Sequence, residues 1–188
     1  KEYRRQRQMC IRDRGTGDLS RALEQSGATQ VVRVDFARQM LVADRRKSWG
    51  YGELFPATIN ADVLQLPFPN ESFDAVTSGF LLRNLVDLRA GLQEMLRVLR
   101  PGGRLVALDI THAAQGLFAP VSRFVFHRLV TGIAACLSGD GDAYGYLSRS
   151  LEGYPDAKSL AQLLIDAGAN QVVYRRMGAG TIALHSGK

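Results

Sequence analysis

Long apolar runs are missing from this chain of 188 residues. No stretch approaches the ~18 uncharged apolar residues of a membrane span, and the N-terminal residues lack the apolar core of a secretory signal. A membrane-spanning helix is thereby excluded and a cytoplasmic location is expected. Cysteine is scarce as well. Cys10 and Cys136 stand far apart with no partner spacing, which argues against a disulfide framework and against a zinc site, and no metal is expected. Prolines number only 6, no linker rich in proline or serine divides the sequence, and there is no internal repeat or low-complexity block. The length suits one domain built on one core.

Charge is present but uneven. Of the formal net charge of +6, residues 1–14 hold +4, from Lys1, Arg4, Arg5, Arg7, Arg12 and Arg14 against Glu2 and Asp13. A single-strand nucleic-acid platform would interleave aromatics with such cations, and no such pattern or base-reading motif accompanies these, so no nucleic-acid partner is expected. The tip 1–14 reads as non-native or disordered, ahead of a domain spanning 15–188.

Beyond the tip, strand-like and helix-like segments alternate, which predicts an α/β fold with a mostly parallel sheet covered by helices. Leu19 to Gln25 reads as a helix. Gln30 to Val34 is a β-branched run ending at Asp35, and Phe36 to about Lys47 is helical. Ala57 to Ala61 is a short strand leading to Asp62, and Phe73 to Phe80 is the clearest buried strand. Leu88 to Leu99 places Leu88, Leu92, Met95, Leu96 and Leu99 on one helical stripe, which Pro101-Gly102-Gly103 should stop before a strand from Arg104 to Ile110. Residues from about 115 to 152 form a helical insertion broken at Gly139-Asp140-Gly141-Asp142. Asp156 is a candidate N-cap for Ala157 to Ala167. The final strands, Gln171 to Met177 and Thr181 to His185, are joined too tightly to hold a crossover helix and should be antiparallel.

The chemistry gathers where strands end. The Gly15-Thr16-Gly17-Asp18-Leu19 loop opens a helix, where glycines permit a ligand to approach closely and free N–H groups can bind a carboxylate. Asp35, 18 residues after Gly17, ends the next strand, where an acid can accept hydrogen bonds from both hydroxyls of a ribose. Asp62 ends the third strand, where it can meet the amino group of an adenine. Either aspartate alone could be a cap or turn residue; in register beside the loop they point to a nucleoside-bearing cofactor. A dehydrogenase would want a further glycine where Ser20 stands.

The segments Leu66-Pro67-Phe68-Pro69, Phe80 with Leu82-Arg83-Asn84, Arg100-Pro101-Gly102-Gly103, Tyr144-Gly145-Tyr146-Leu147 and Ala183-Leu184-His185 resemble the ubiquinone/menaquinone biosynthesis C-methyltransferases across about residues 15–188. That resemblance implies a Rossmann-like class I methyltransferase fold and S-adenosylmethionine as cofactor, held by Gly15, Thr16, Gly17, Asp18, Asp35, Asp62 and Asn84. It implies transfer of a methyl group to a ring carbon of a prenylated quinol, without metal. Arg83 then stabilises the phenolate of the acceptor or orients a water, and His127 is a competing base or a helix-packing residue. Tyr144 and Tyr146 line the quinol site or pack the core. Peripheral contact with the inner membrane surface or with quinone-pathway proteins, and a homo-oligomer, are left open. The resemblance fails at the start, where Ile11 and Arg14 stand in place of an acidic residue and a further glycine. Three consecutive charged residues, Arg12-Asp13-Arg14, then fall where a central strand should be apolar. The first strand is therefore expected to be missing or corrupted, and this chain to bind the cofactor weakly or not at all. Two readings compete: a class I methyltransferase acting on another small molecule or lipid, and a truncated fragment without activity.

Overall fold

A computed structural model of the chain describes residues 7–12, 18–28, 30–36, 57–111, 151, 153–178 and 180–188. In chain order the elements are β1 (Arg7–Arg12), α1 (Asp18–Gln25), β2 (Gln30–Asp35), β3 (Ala57–Asn60), β4 (Phe73–Gly79), a 3-10 turn (Leu82–Asn84), α2 (Leu88–Arg97), β5 (Leu99–Ile110), α3 (Ala157–Asp166), β6 (Val173–Met177) and β7 (Ile182–Gly187). The strands form one sheet in the order β3-β2-β1-β4-β5-β7-β6. The first five run parallel, β7 is antiparallel to both its neighbours, and the turn at Gly178 and Gly180, both at positive φ, makes the last two strands a hairpin. This is the mostly parallel α/β sheet with a C-terminal antiparallel strand that the alternation predicts.

One expectation is corrected at the centre of this sheet. The first strand is present: β1 pairs with β2 from Arg7 opposite Gln30 to Ile11 opposite Val34, and with β4 from Gln8 opposite Ala75 to Arg12 opposite Gly79. The strand lies earlier than the charged triplet suggested, so of Arg12-Asp13-Arg14 only Arg12 belongs to it, at its last position. Weak cofactor binding was expected because of a missing strand, and that ground is removed. The expected helix from about Phe36 to Lys47 and the insertion at about 115–152 fall almost wholly outside the described residues.

A second correction concerns Leu99 and the Pro101-Gly102-Gly103 turn. Helix α2 ends at Arg97 with Val98 as its C-cap, and Leu99 already pairs with Phe73 in the sheet. The proline and glycines sit within β5, where the register shifts from Phe73 opposite Leu99 to Ala75 opposite Arg104. They form a bulge instead of a helix stop. Gly102 has φ +78, and a Cβ at Gly103 would meet the carbonyl oxygens of Arg100 and Asp74 at 2.8 and 3.0 Å. Only glycine lets the backbone close on itself there.

The described core is one cluster built on the parallel strands and helix α2. Val34, Val76, Leu105, Leu92, Met95 and Val98 are all but fully buried together. Helix α2 starts at Asp87, whose side chain accepts the Ala90 N–H at 2.9 Å, and buries Gly91, Leu92 and Met95. Its last turn holds the loop between β3 and β4. Arg97 donates through Nη1 to the Phe68 carbonyl (2.9 Å) and Asn70 Oδ1 (2.7 Å), and through Nη2 to the Leu66 carbonyl (3.1 Å), while Glu94 Oε1 accepts the Leu66 N–H (2.8 Å) and Oε2 pairs with Arg97 Nε (2.7 Å). Helix α3 is capped by Asp156, which accepts the Ser159 N–H at 2.7 Å, as its sequence suggests.

His185 joins α3 to the sheet. It is buried on β7, stacked on Tyr174 with ring centroids 5.5 Å apart, and its Nε2 lies 2.8 Å from the Ala157 carbonyl oxygen. A carbonyl can only accept, so the neutral ring carries its proton on Nε2. Burial holds the imidazole below its ordinary pKa of 6.5.

Two outcomes follow for stability. Gly103→Ala should destabilise the protein by ~1–3 kcal/mol through forced backbone movement, read from denaturant midpoints. Because the His185 pKa is depressed in the folded state, the unfolded chain binds the extra proton first, and stability is full above pH ~6.5 and falls as pH drops below it. His185→Gln should flatten that part of the profile; an equal decline in both proteins between pH 7.5 and 5 would assign it elsewhere.

Candidate active site

Parallel strands bring their carboxyl ends to one side of the sheet, and on either side of β1 the connections lead in opposite directions, which opens a crevice there. A cavity of about 290 Å³ occupies that side. Its rim comes from the end of β2 and the residues after β3 (Val34, Asp35, Asp62, Val63, Leu64) and from the segment after β4 (Leu81, Asn84, Leu85).

Local hydrogen bonds join the two strand ends that carry the aspartates. Asn60 Nδ2 donates to the carbonyls of Asp35 and Phe36 at 2.8 and 2.7 Å, and the Ala61 N–H donates to the Asp35 carbonyl at 3.3 Å. These bonds tie the end of β3 to the end of β2. Asp35 is buried, whereas Asp62 is exposed and its Oδ1 accepts the Leu64 N–H at 2.9 Å, shaping the turn that follows. Asp62 thus makes the turn contact that its residue type alone suggests and also lines the cavity.

After β4 the chain turns sharply. Phe80 has φ +58, an uncommon conformation for a bulky residue, of the kind that clusters at functional sites, and its N–H donates to the Leu108 carbonyl at 2.7 Å. The 3-10 turn then separates its two polar residues. Asn84 lines the cavity and donates through Nδ2 to the Phe80 carbonyl at 3.2 Å. Arg83 is absent from the cavity lining. It turns to β5, where Nη1 donates to Asp109 Oδ1 at 2.6 Å and its main-chain N–H donates to Asp109 Oδ2 at 3.2 Å. The guanidinium carbon lies 5.6 Å from the centre of the Phe80 ring, within cation–π range.

Asp109 is 2% exposed, and burial raises its carboxyl pKa, an effect that the Arg83 charge and hydrogen bond offset only in part. Nearby, burial and the Asp109 charge raise the Tyr154 phenol well above its ordinary value, so it keeps its proton at neutral pH. Sequence reasoning passed over both residues. The signal was there for Asp109, the single ionisable group in the apolar run Leu105-Val106-Ala107-Leu108-Asp109-Ile110, since a carboxylate at a buried position needs a partner. Nothing in the sequence marks Tyr154.

Of the other candidates, Gly15, Thr16, Gly17, His127, Tyr144 and Tyr146 lie outside the described residues, and Asp18 opens α1 without a described side chain. Among the described residues no group of three His, Cys, Asp or Glu could hold a metal ion, and no helix is long and apolar enough to cross a membrane.

The fold has counterparts among solved structures. The fold matches a crystal structure of an S-adenosylmethionine-dependent methyltransferase from Mesorhizobium loti with a TM-score of 0.65 at 17% identity, covering 96% of this chain and 90% of that one. The chain is 41% identical over 174 residues to a demethylmenaquinone methyltransferase of Thermus thermophilus, spanning 92% of this chain and 78% of the relative. It is 37% identical over 175 residues to the ubiquinone/menaquinone biosynthesis C-methyltransferase UbiE of Chromobacterium violaceum, spanning 92% and 71%. The family match covers residues 7–188 and so takes in β1, eight residues earlier than the resemblance read from the sequence. With that match over nearly its whole length, the chain belongs to the ubiE/COQ5 methyltransferase family.

Proposed function

We propose that the protein methylates a ring carbon of a polyprenyl quinol, converting demethylmenaquinol to menaquinol, with the benzoquinol of the ubiquinone pathway as the second acceptor to assay. The observation that carries the reading is the cavity lined by Asp35, Asp62 and Asn84 at the carboxyl ends of the parallel strands. The named relatives support the choice of acceptor. The reaction takes place in the cytoplasm, with the prenylated acceptor reached at the membrane surface.

The methyl donor is S-adenosylmethionine, and the cavity suits it. Two carboxylates accept hydrogen bonds from hydroxyl and amino groups, and Val34, Val63, Leu64, Leu81 and Leu85 supply apolar walls for a purine. The cavity sits near the lower end of the ~300–1,000 Å³ usual for small-molecule sites. Asp35 takes the ribose hydroxyls, Asp62 the adenine amino group, and Asn84 a contact on the same side; Gly15, Thr16, Gly17 and Asp18 are the further cofactor contacts that the sequence suggests. When bound, the cofactor supplies a methyl group on a positively charged sulfur, already a good electrophile. The protein's share is alignment and a more electron-rich ring.

The acceptor carbon becomes nucleophilic when a ring hydroxyl gives up its proton. Arg83 remains protonated at ordinary pH, so it stabilises the resulting phenolate by donating hydrogen bonds and leaves the proton to water. His127 is the alternative proton acceptor, and Tyr144 and Tyr146 border the quinol.

Calorimetry separates these roles. Asp35→Asn should raise the S-adenosylmethionine Kd about tenfold or more, as expected when a charged acceptor is lost, and an unchanged Kd would remove Asp35 from the cofactor site. Arg83→Ala should lower kcat about 100-fold or more while leaving cofactor Kd within about twofold, in keeping with loss of a donor used only as charge develops. Equal losses in Kd and kcat would instead place Arg83 against the cofactor.

A further inference from the structure

Asp109 is a buried carboxylate that the proposed chemistry does not use directly, held one strand away from the cavity. We infer that Asp109 is a positioning residue: it fixes the guanidinium of Arg83 in one orientation for the oxygen of the acceptor. The inference rests on the role given to Arg83 above.

The carboxylate holds its partner twice. Oδ1 accepts from Nη1 at 2.6 Å and Oδ2 accepts the main-chain N–H of the same residue at 3.2 Å, so the side chain is folded back over its own backbone. Asp109 is itself anchored, because its Oδ1 also accepts the Ile110 N–H at 2.8 Å and the strand around it is paired on both edges. The Phe80 ring borders the guanidinium at 5.6 Å. A long side chain that would otherwise sample many rotamers is thus held, at 10% exposure, by a carboxylate, a strand and a ring.

The clamp leaves donors over. A guanidinium has five N–H groups, and the buried Nε has no hydrogen-bond partner among the described residues. The Asp109 pairing engages the side chain at Nη1 alone, so the fork keeps donors for the oxygen of the acceptor. Lysine could not replace Arg83, having a single point charge where the fork must serve Asp109 and the acceptor together.

The test is a double-mutant cycle on the full chain with S-adenosylmethionine and a short-chain demethylmenaquinol, measuring kcat, KM and cofactor Kd. Asp109→Asn should lower kcat about tenfold or more with cofactor Kd within twofold, and the double variant Arg83→Ala/Asp109→Asn should be no slower than Arg83→Ala alone. A residue that merely supported the fold would add its loss to that of Arg83→Ala, and such additivity overturns the inference. Wild-type turnover in Asp109→Asn beside a slow Arg83→Ala overturns it too, while wild-type turnover in Arg83→Ala sinks the role of Arg83 itself. Should Asp109→Asn not fold, Asp109→Glu replaces it: the added methylene displaces the charge, so kcat should drop with no further loss on the Arg83→Ala background, and wild-type turnover would overturn the inference.

Discussion

The structure depends on the pairing of β1. Among the described residues this strand is the bridge in the sheet between the β2–β3 half and the half that begins with β4, and it holds both by main-chain hydrogen bonds. Because the connections diverge on either side of it, the crevice and the cavity exist only where β1 keeps the two halves in register. Asp35 comes from one half and Asn84 from the other, so the distance across the candidate cofactor site is set by a strand that contributes none of the described lining.

The 3-10 turn after β4 divides the site. Two adjacent residues face different neighbours: Asn84 borders the cavity and Arg83 meets Asp109. A helix or strand would place neighbours about 100° or 180° apart on a long, regular element, while a single short turn does so at one point and then hands the chain to α2. The positive φ of Phe80 starts that turn, and the Asp87 cap ends it by launching the helix. The turn that begins at Phe80 sets an amide at the cavity and a guanidinium against Asp109.

Much of this was legible in the sequence because it is local or periodic. The β-branched run into Asp35, the amphipathic stripe of α2, the Asp156 cap and the tight link between β6 and β7 each announce themselves within a few residues. The long-range pairs do not. Arg83 and Asp109 lie 26 positions apart, and the clamp of Arg97 on the Leu66 to Asn70 loop spans up to 31, so neither is visible without the fold. The strand β1 is hidden in the sequence for a different reason. Polarity near Arg14 argues against a strand, whereas strand formation follows pairing with neighbours on both sides, and those neighbours select the window from Arg7 to Arg12. The Pro101-Gly102-Gly103 turn was read by its residue types as a helix stop, although the bulge it makes requires knowing that β4 runs alongside.

The strand order also constrains how the molecule assembles. Strand β7 follows β6 in the chain yet lies between β6 and β5, so β6 has no place in the sheet until β7 is there. Strand β7 docks on β5 either with β6 already paired to it or before β6 adds. Until it does, the edge of β5 from Leu105 to Ile110 offers unpaired amides along an apolar strand, a template to which another chain can add. A defect in the hairpin therefore shows first as loss of soluble protein to aggregates, with the molecules that complete the sheet retaining an intact active site.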